Sequence, residues 1–221
     1  SISDEEGWLK SFNRYLRNFN LPEIDLSGNA SDALLSRFTS QHGLHNADGQ
    51  LVTVIMPAWN SEKTIAHAAN SILNQSWSNL QLIIVDDAST DNTWSEIQSL
   101  ANKDDRVLSL RNSINVGPYV SKNIALRYSK GKYITGHDAD DWAFPNRIER
   151  HMKLIRENGS PRASLSYMVR VDSKGFFNKI GKIGGFSFDG VARKASISCM
   201  FESEFLRGSL GYWDSVRFGA D

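Results

Sequence analysis

The sequence predicts an α/β fold: a mostly parallel sheet flanked by helices, preceded by an N-terminal helical extension. Three observations predict it. Short, near-continuous apolar runs fall at 51–56, 80–85, 107–110 and 132–135, and segments of helical spacing separate them. Strands that are apolar on both faces are covered on both faces, the environment of parallel strands joined by helices. Residues 1–45 differ in texture from everything that follows.

Taken in order, Trp8, Leu9, Phe12, Tyr15, Leu16 and Phe19 recur at helical spacing with Lys10, Arg14 and Arg17 between them, and Pro22 ends that helix. Ala33, Leu34, Leu35 and Phe38 form a second short helical stripe behind a cap at Ser31. Both read as an extension docked on the main domain, or as a contact for a partner or membrane. A polar, Gly-containing connector at 42–49 follows. The first strand, 51–56, is bounded by Pro57. Helical spacing then runs over 61–75 through Ile65, Ala68, Ala69, Ile72 and Leu73, and again over 91–101, 119–128 and 145–157. Beyond Ser164 the segments 165–171, 176–183 and 196–201 read as strands with little helix between them, so this half is mixed, with an antiparallel component. The domains are therefore 1–45, a helical extension, and 46–221, the main domain.

With 25 Lys+Arg against 25 Asp+Glu the chain is neutral, which argues against binding nucleic acid by neutralising phosphates. The single cysteine, Cys199, excludes an intrachain disulfide and a Cys-rich zinc site. No apolar run approaches the roughly 20 residues that a bilayer-spanning helix needs. The acidic opening Asp4-Glu5-Glu6 lacks the order of a signal peptide. The chain reads as cytoplasmic, with peripheral association at the inner face of the membrane left open.

Ligands of an open parallel sheet bind at the carboxyl ends of its strands. After the first strand come Pro57, Ala58, Trp59, Asn60, Ser61 and Glu62; after the second, Asp86, Asp87, Ala88, Ser89, Thr90 and Asp91; after the fourth, His137, Asp138, Ala139, Asp140, Asp141 and Trp142. One rim thus receives a large aromatic, an acidic pair and an acidic triplet. Clustered carboxylates repel, and a divalent cation is their natural partner: oxygen donors suit Mg²⁺, Mn²⁺ or Ca²⁺. Plainer readings stand beside this one. Asp86 and Asp87 also suit caps for the helix near Asp91, Asp138 and Asp140 suit turn residues, Trp59 suits a core position, and His137 suits strand-end packing as well as a ligand or orienting role. A Gly-x-Gly-x-x-Gly fingerprint after the first strand and a P-loop are both absent.

The segments 52–62, 71–77 and 84–91, followed by Asn115-Val116-Gly117, Gly131 to Ile134 and Asp138-Ala139-Asp140-Asp141-Trp142, resemble a family 2 glycosyltransferase with the GT-A (nucleotide-diphospho-sugar transferase) fold. The likeness covers about 51–150 and returns at 211–214 and 218–221. It implies that 51–141 is the nucleotide-sugar-binding half and 142–221 the acceptor half, continuing past Asp221. It also implies that Pro57, Trp59, Asn60, Glu62, Asp87 and Asp138 bind the donor. Trp59 would stack on the base in the place usually held by Tyr. Asp87 would accept the N3–H of a uracil or thymine, favouring a UDP- or dTDP-sugar. Asp140, with Asp138, would bind Mn²⁺ or Mg²⁺, and Asp221 would be the general base. On an extended segment Asp138 and Asp140 would point to one side.

The implied reaction is metal-dependent, inverting transfer to a hydroxyl acceptor, a saccharide or lipid-linked saccharide, in polysaccharide or glycoconjugate synthesis. Loss of the acceptor proton needs one positioned carboxylate. Another class remains open: a non-catalytic nucleotide-sugar-binding domain or a fragment. A nucleotidyltransferase would need a Gly-rich, Arg-containing loop in place of Pro57-Ala58-Trp59-Asn60. A processive synthase would need membrane spans and a Gln-x-x-Arg-Trp sequence, whereas Trp213 is followed by Asp214. Arg170, Lys182, Arg193 and Lys194 read as solvated charge or as an acceptor groove.

Overall fold

The structure is a computed structural model that describes residues 2, 4–40, 47–179, 187 and 189–213. In chain order its elements are α1 (Glu5–Arg17), β1 (Asp25–Leu26), β2 (Phe38–Thr39), β3 (Val52–Ala58), α2 (Ile65–Leu73), β4 (Leu80–Asp86), α3 (Thr93–Lys103), β5 (Val107–Arg111), α4 (Pro118–Leu126), β6 (Tyr133–Gly136), α5 (Arg147–Glu157), β7 (Ala163–Ser164), β8 (Tyr167–Met168), β9 (Arg193–Lys194) and β10 (Met200–Glu202). They form two compact units. One gathers the described residues of 1–45 and 166–195, the other those of 46–165 and 196–221.

The larger unit carries a six-stranded sheet of order β5-β4-β3-β6-β10-β7. β5, β4, β3 and β6 run parallel, and β10 lies antiparallel to both β6 and β7. The period-2 alternation of a strand splits its apolar residues between two cores. Val54, Met56, Leu82 and Ile84 face a cluster with Ile65, Ile72, Ile97 and Ile148; Ile55, Ile83 and Val85 face a second with Ala125, Leu126 and Leu206. The α/β class with a mostly parallel sheet is thus what the structure has, and strands and helices predicted between 51 and 157 are present. β10 differs from the strand expected at 196–201: Ser196–Ser198 is a 3-10 turn, and pairing begins at Met200 opposite Thr135.

In the smaller unit, α1 starts at Asp4, whose carboxylate accepts from the Gly7 N–H at 2.9 Å. Glu5 and Glu6 stand in the first turn and Arg14 and Arg17 at the end, each favourable with the helix dipole. Its apolar stripe meets Phe177, whose ring lies 5.0 Å from that of Phe12 and stacks on Trp8 at 8°. Trp8 Nε1 donates to the Gly175 carbonyl at 2.7 Å, and the Tyr15 hydroxyl to Asp189 at 2.7 Å. The helical stripe expected at 33–38 is instead a 3-10 turn, Leu34–Arg37, running into β2, which pairs with β1. Long-range bonds decide this. Glu5 takes the Arg37 guanidinium at 2.6 and 2.7 Å, and the Arg37 carbonyl accepts from the Ser27 N–H at 2.8 Å. Arg193, one of the charges read as solvated or groove-lining, is buried in β9; Lys182 lies outside the described residues, as does part of the strand expected at 176–183.

Ile84 is fully buried at the centre of the sheet. Ile84→Ala is expected to cost about 2–5 kcal/mol of stability, read as a shift in urea midpoint by far-UV circular dichroism. A loss below about 1 kcal/mol, the scale of a tolerated core swap, would contradict this packing.

Candidate functional site

The site follows from the strand order. The chain runs outward from β3 to β4 to β5, then returns to lay β6 on the other side of β3. The loops leaving β3 and β6 therefore diverge over adjacent strand ends, the switch point at which open α/β sheets bind ligands. A cleft of about 590 Å³ opens there, lined by Pro57, Trp59, Asn60, Glu62, Asp138 and Asp140 among others.

Of the residues singled out from sequence, Trp59 is 57% exposed, so its indole lies at the cleft and not in the core. Asn60 sits at φ 47°, donates its N–H to Ser89 Oγ at 2.9 Å and accepts the Thr90 N–H on Oδ1 at 2.9 Å. Glu62 accepts the Asn92 N–H at 3.0 Å, while its own N–H reaches Asp91 at 3.2 Å. These two side chains line the cleft and also tie the loop after β3 to the loop after β4. At the start of α3 Asn92 holds the N-cap position, and Asp91 before it accepts the Thr93 N–H on Oδ1 at 3.0 Å.

The acidic pair is buried. Asp86 Oδ1 accepts the Ser89 N–H at 3.2 Å, and Arg111 Nε lies 2.9 Å from Oδ2, an ion pair not aligned as a hydrogen bond. Asp87 is 3% exposed and absent from the cleft lining. Its Oδ1 accepts from Val116 N at 2.9 Å and Asn112 Nδ2 at 2.8 Å, and its Oδ2 from Gly117 N at 2.7 Å. The carboxylate assigned from sequence to the base therefore holds the loop that leads into α4, where Gly117 takes φ 91°.

The acidic triplet is a turn rather than an extended segment: the Asp141 N–H donates to the Asp138 carbonyl at 3.2 Å. Both Asp138 and Asp140 nevertheless line the cleft, Asp138 partly buried and Asp140 exposed. His137, 2% exposed, extends the ladder by donating its N–H to the Ile55 carbonyl at 3.0 Å, and its ring packs inward toward Ser71 and Arg147. Asp221 lies outside the described residues.

The sequence reading passed over Arg111 and Asn112, which bound a second concavity with Ala88, Ser89 and Ser113. They follow Leu110 at the carboxyl end of the third parallel strand, so the rule that found the other loops would have found them. Among the described residues no group of three or more His, Cys, Asp or Glu side chains is gathered to hold a metal ion, and no helix is long and apolar enough to cross a membrane.

The family model described as "Glycosyl transferase family 2" matches residues 53–205. An uncharacterized glycosyltransferase of Haemophilus influenzae is 38% identical over 124 residues, covering 56% of this chain and 38% of that protein. A UDP-Glc:alpha-D-GlcNAc-diphosphoundecaprenol beta-1,3-glucosyltransferase of Escherichia coli is 28% identical over 153 residues, covering 69% and 59%. The chain spans less than two thirds of the length of either relative. Among solved structures, S. aureus TarS 1-349 in complex with UDP superposes with a TM-score of 0.62 at 22% identity, over 74% of this chain and 50% of that one. The mannosyltransferase PcManGT of Pyrobaculum calidifontis, in complex with GDP-Man and Mn²⁺, gives 0.55 at 19%, over 95% and 56%. Both are likenesses of fold.

Asp87→Ala strands three donors in a buried place and is expected to cost at least about 2–3 kcal/mol, whereas Trp59→Ala should stay within about 0.5 kcal/mol of wild type. Thermal or urea unfolding of the two variants checks this, and equal losses would refute the division of roles. The buried histidines set a second expectation. Burial first, then the charge of Arg147, hold His137 well below the usual 6.5 and bring His151 down to about 3. Below pH 6.5 the unfolded chain binds protons that the native chain does not, so stability rises with pH in that window and falls on acidification. From pH 7 to 4 the unfolding free energy should drop, by at most about 1.4 kcal/mol per pH unit for each histidine. A flat profile would mean that these rings take up protons while folded.

Proposed function

Because the chain belongs to glycosyl transferase family 2, we propose that it transfers a sugar from a nucleotide-diphospho-sugar, a UDP-sugar foremost, to a hydroxyl acceptor with inversion, in polysaccharide or glycoconjugate synthesis. The observation that carries this reading is the cleft at the switch point, which sets the exposed indole of Trp59 and the carboxylates of Asp138 and Asp140 on one lining. The E. coli relatives named as UDP-Glc transferases acting on a diphosphoundecaprenol-linked sugar support a UDP-sugar donor and a lipid-linked saccharide acceptor.

In this reading Trp59 stacks on the base, and Pro57 and Asn60 shape the wall beside it. Asp87 acts one step removed, by fixing the 112–117 loop. Asp140, with Asp138 beside it, would hold Mn²⁺ or Mg²⁺. Two carboxylates on the cleft lining fit such an ion, because these cations commonly take one or two carboxylates and complete their shell with water and substrate phosphate. When bound there, the ion supplies Lewis-acid stabilisation to the leaving diphosphate. Asp221 takes the proton of the attacking acceptor hydroxyl, and no covalent nucleophile is needed.

Calorimetric titration with UDP, with and without Mn²⁺, tests donor binding. Trp59→Ala should weaken UDP by about 1–3 kcal/mol, the worth of base–aromatic stacking, and Asp140→Ala should abolish the Mn²⁺-dependent part. Unchanged affinity in both would remove the cleft as the donor site. Asp221→Asn should leave UDP binding intact and slow transfer by about 10²–10⁴-fold; wild-type transfer in that variant would remove the base.

A further inference from the structure

We infer that Arg147 is a positioning residue for the acidic turn: its partly buried guanidinium fixes the Gly136 carbonyl and the His137 ring on one side of Asp138–Asp141, and His137 in turn meets the Ser71 hydroxyl that holds Ala143 on the other. For its consequence in donor binding the inference rests on the reading above; the clamp itself does not.

Arg147 is the first residue of α5 and is partly buried. Nη2 donates to the Gly136 carbonyl at 3.3 Å, Nη1 donates to His137 Nδ1 at 3.3 Å, and Nε is buried without a hydrogen-bond partner. A guanidinium has donors only. His137 Nδ1 is therefore an acceptor, and the neutral ring carries its proton on Nε2. That nitrogen lies 3.4 Å from Ser71 Oγ. Ser71 gives its own proton to the Ala68 carbonyl at 2.7 Å, so its oxygen acts as an acceptor for the imidazole and for the Ala143 N–H at 3.1 Å.

The chain of contacts thus runs from Arg147 through His137 to Ser71 on α2, and from Ser71 to the Ala143 N–H beyond the turn. It fastens the residues flanking Asp138-Ala139-Asp140 and leaves those two carboxylates at the cleft. The bonds sit at the long end of the hydrogen-bond range, and one donor is unused. A partly buried charge bonded in that way is weak support for overall stability. Its consequence is local: the turn has one place to lie. Outer groups that orient metal-binding side chains are worth about 10–100-fold in metal affinity.

The test uses the whole chain with Arg147→Met and Arg147→Lys, the lysine keeping a charge but losing the planar fork. Three readouts apply: imidazole ¹⁵N spectra, amide hydrogen exchange, and calorimetry with UDP plus Mn²⁺ against uridine alone. The wild type should show His137 as the Nε2–H tautomer. In both variants that signature should be lost, and amides at 138–141 should exchange at least about tenfold faster while β3 and β4 keep their protection. UDP–Mn²⁺ affinity should fall by about 10–100-fold with uridine affinity unchanged. If Arg147→Met does not fold, Arg147→Lys decides. Unchanged exchange at 138–141, or exchange rising equally in β3 and β4, would overturn the clamp. Absence of Mn²⁺-dependent UDP binding in the wild type would instead overturn the donor reading, with exchange and tautomer still judging the clamp.

Discussion

The pairing of β6 against β3 is the constraint on which the rest depends. Val52↔Tyr133 through Ile55↔Gly136 brings the fourth parallel strand back to the first, and the ladder is prolonged by His137 donating to Ile55. Because β4 and β5 have gone the other way, the chain parts at this line, and the two loops that leave it are held apart by their own helices. The cleft is the gap that results. A strand order that kept β6 beyond β5 would put Trp59 and Asp140 several strands apart, at about 4.8 Å per strand.

Acidic residues at the strand ends divide by burial into two kinds. Asp86 and Asp87 are desolvated, so each carboxylate has to be matched, and each is: Asp86 by Ser89 and Arg111, Asp87 by Val116, Gly117 and Asn112. An unmatched buried carboxylate would cost several kcal/mol. Their bonds tie the loop after β4 to the loop after β5. Asp138 and Asp140 stand nearer to water and line the cleft, where a cation shared with a diphosphate is proposed. Charge that builds the site and charge that would serve the ligand are thus kept on different residues.

The sheet was legible in the sequence because its strands are buried on both faces, so Val52 to Met56 and Leu80 to Val85 read as unbroken apolar runs. The strand-end rule then pointed to Trp59, Asp138 and Asp140, all of which line the cleft. Two things were hidden. The bonds of Asp87 to the loop 112–117 arise from a long-range approach that spacing does not encode, and a short polar segment such as Asp138–Asp141 carries no periodicity to show its turn. In the smaller unit, Arg37 closes on Glu5, more than thirty positions earlier, and that bond draws 34–39 away from its helical pattern. Arg147 falls unmarked within the helix expected at 145–157, since nothing local shows that its side chain reaches back to His137.

The account's central claim is that the switch-point cleft is where the donor nucleotide lies. A crystal structure with UDP and Mn²⁺ tests it most directly. The account predicts the uracil ring on the indole of Trp59 and the diphosphate with its cation at Asp138 and Asp140. Nucleotide density elsewhere on the sheet, or an empty cleft at saturating UDP and Mn²⁺, would contradict it.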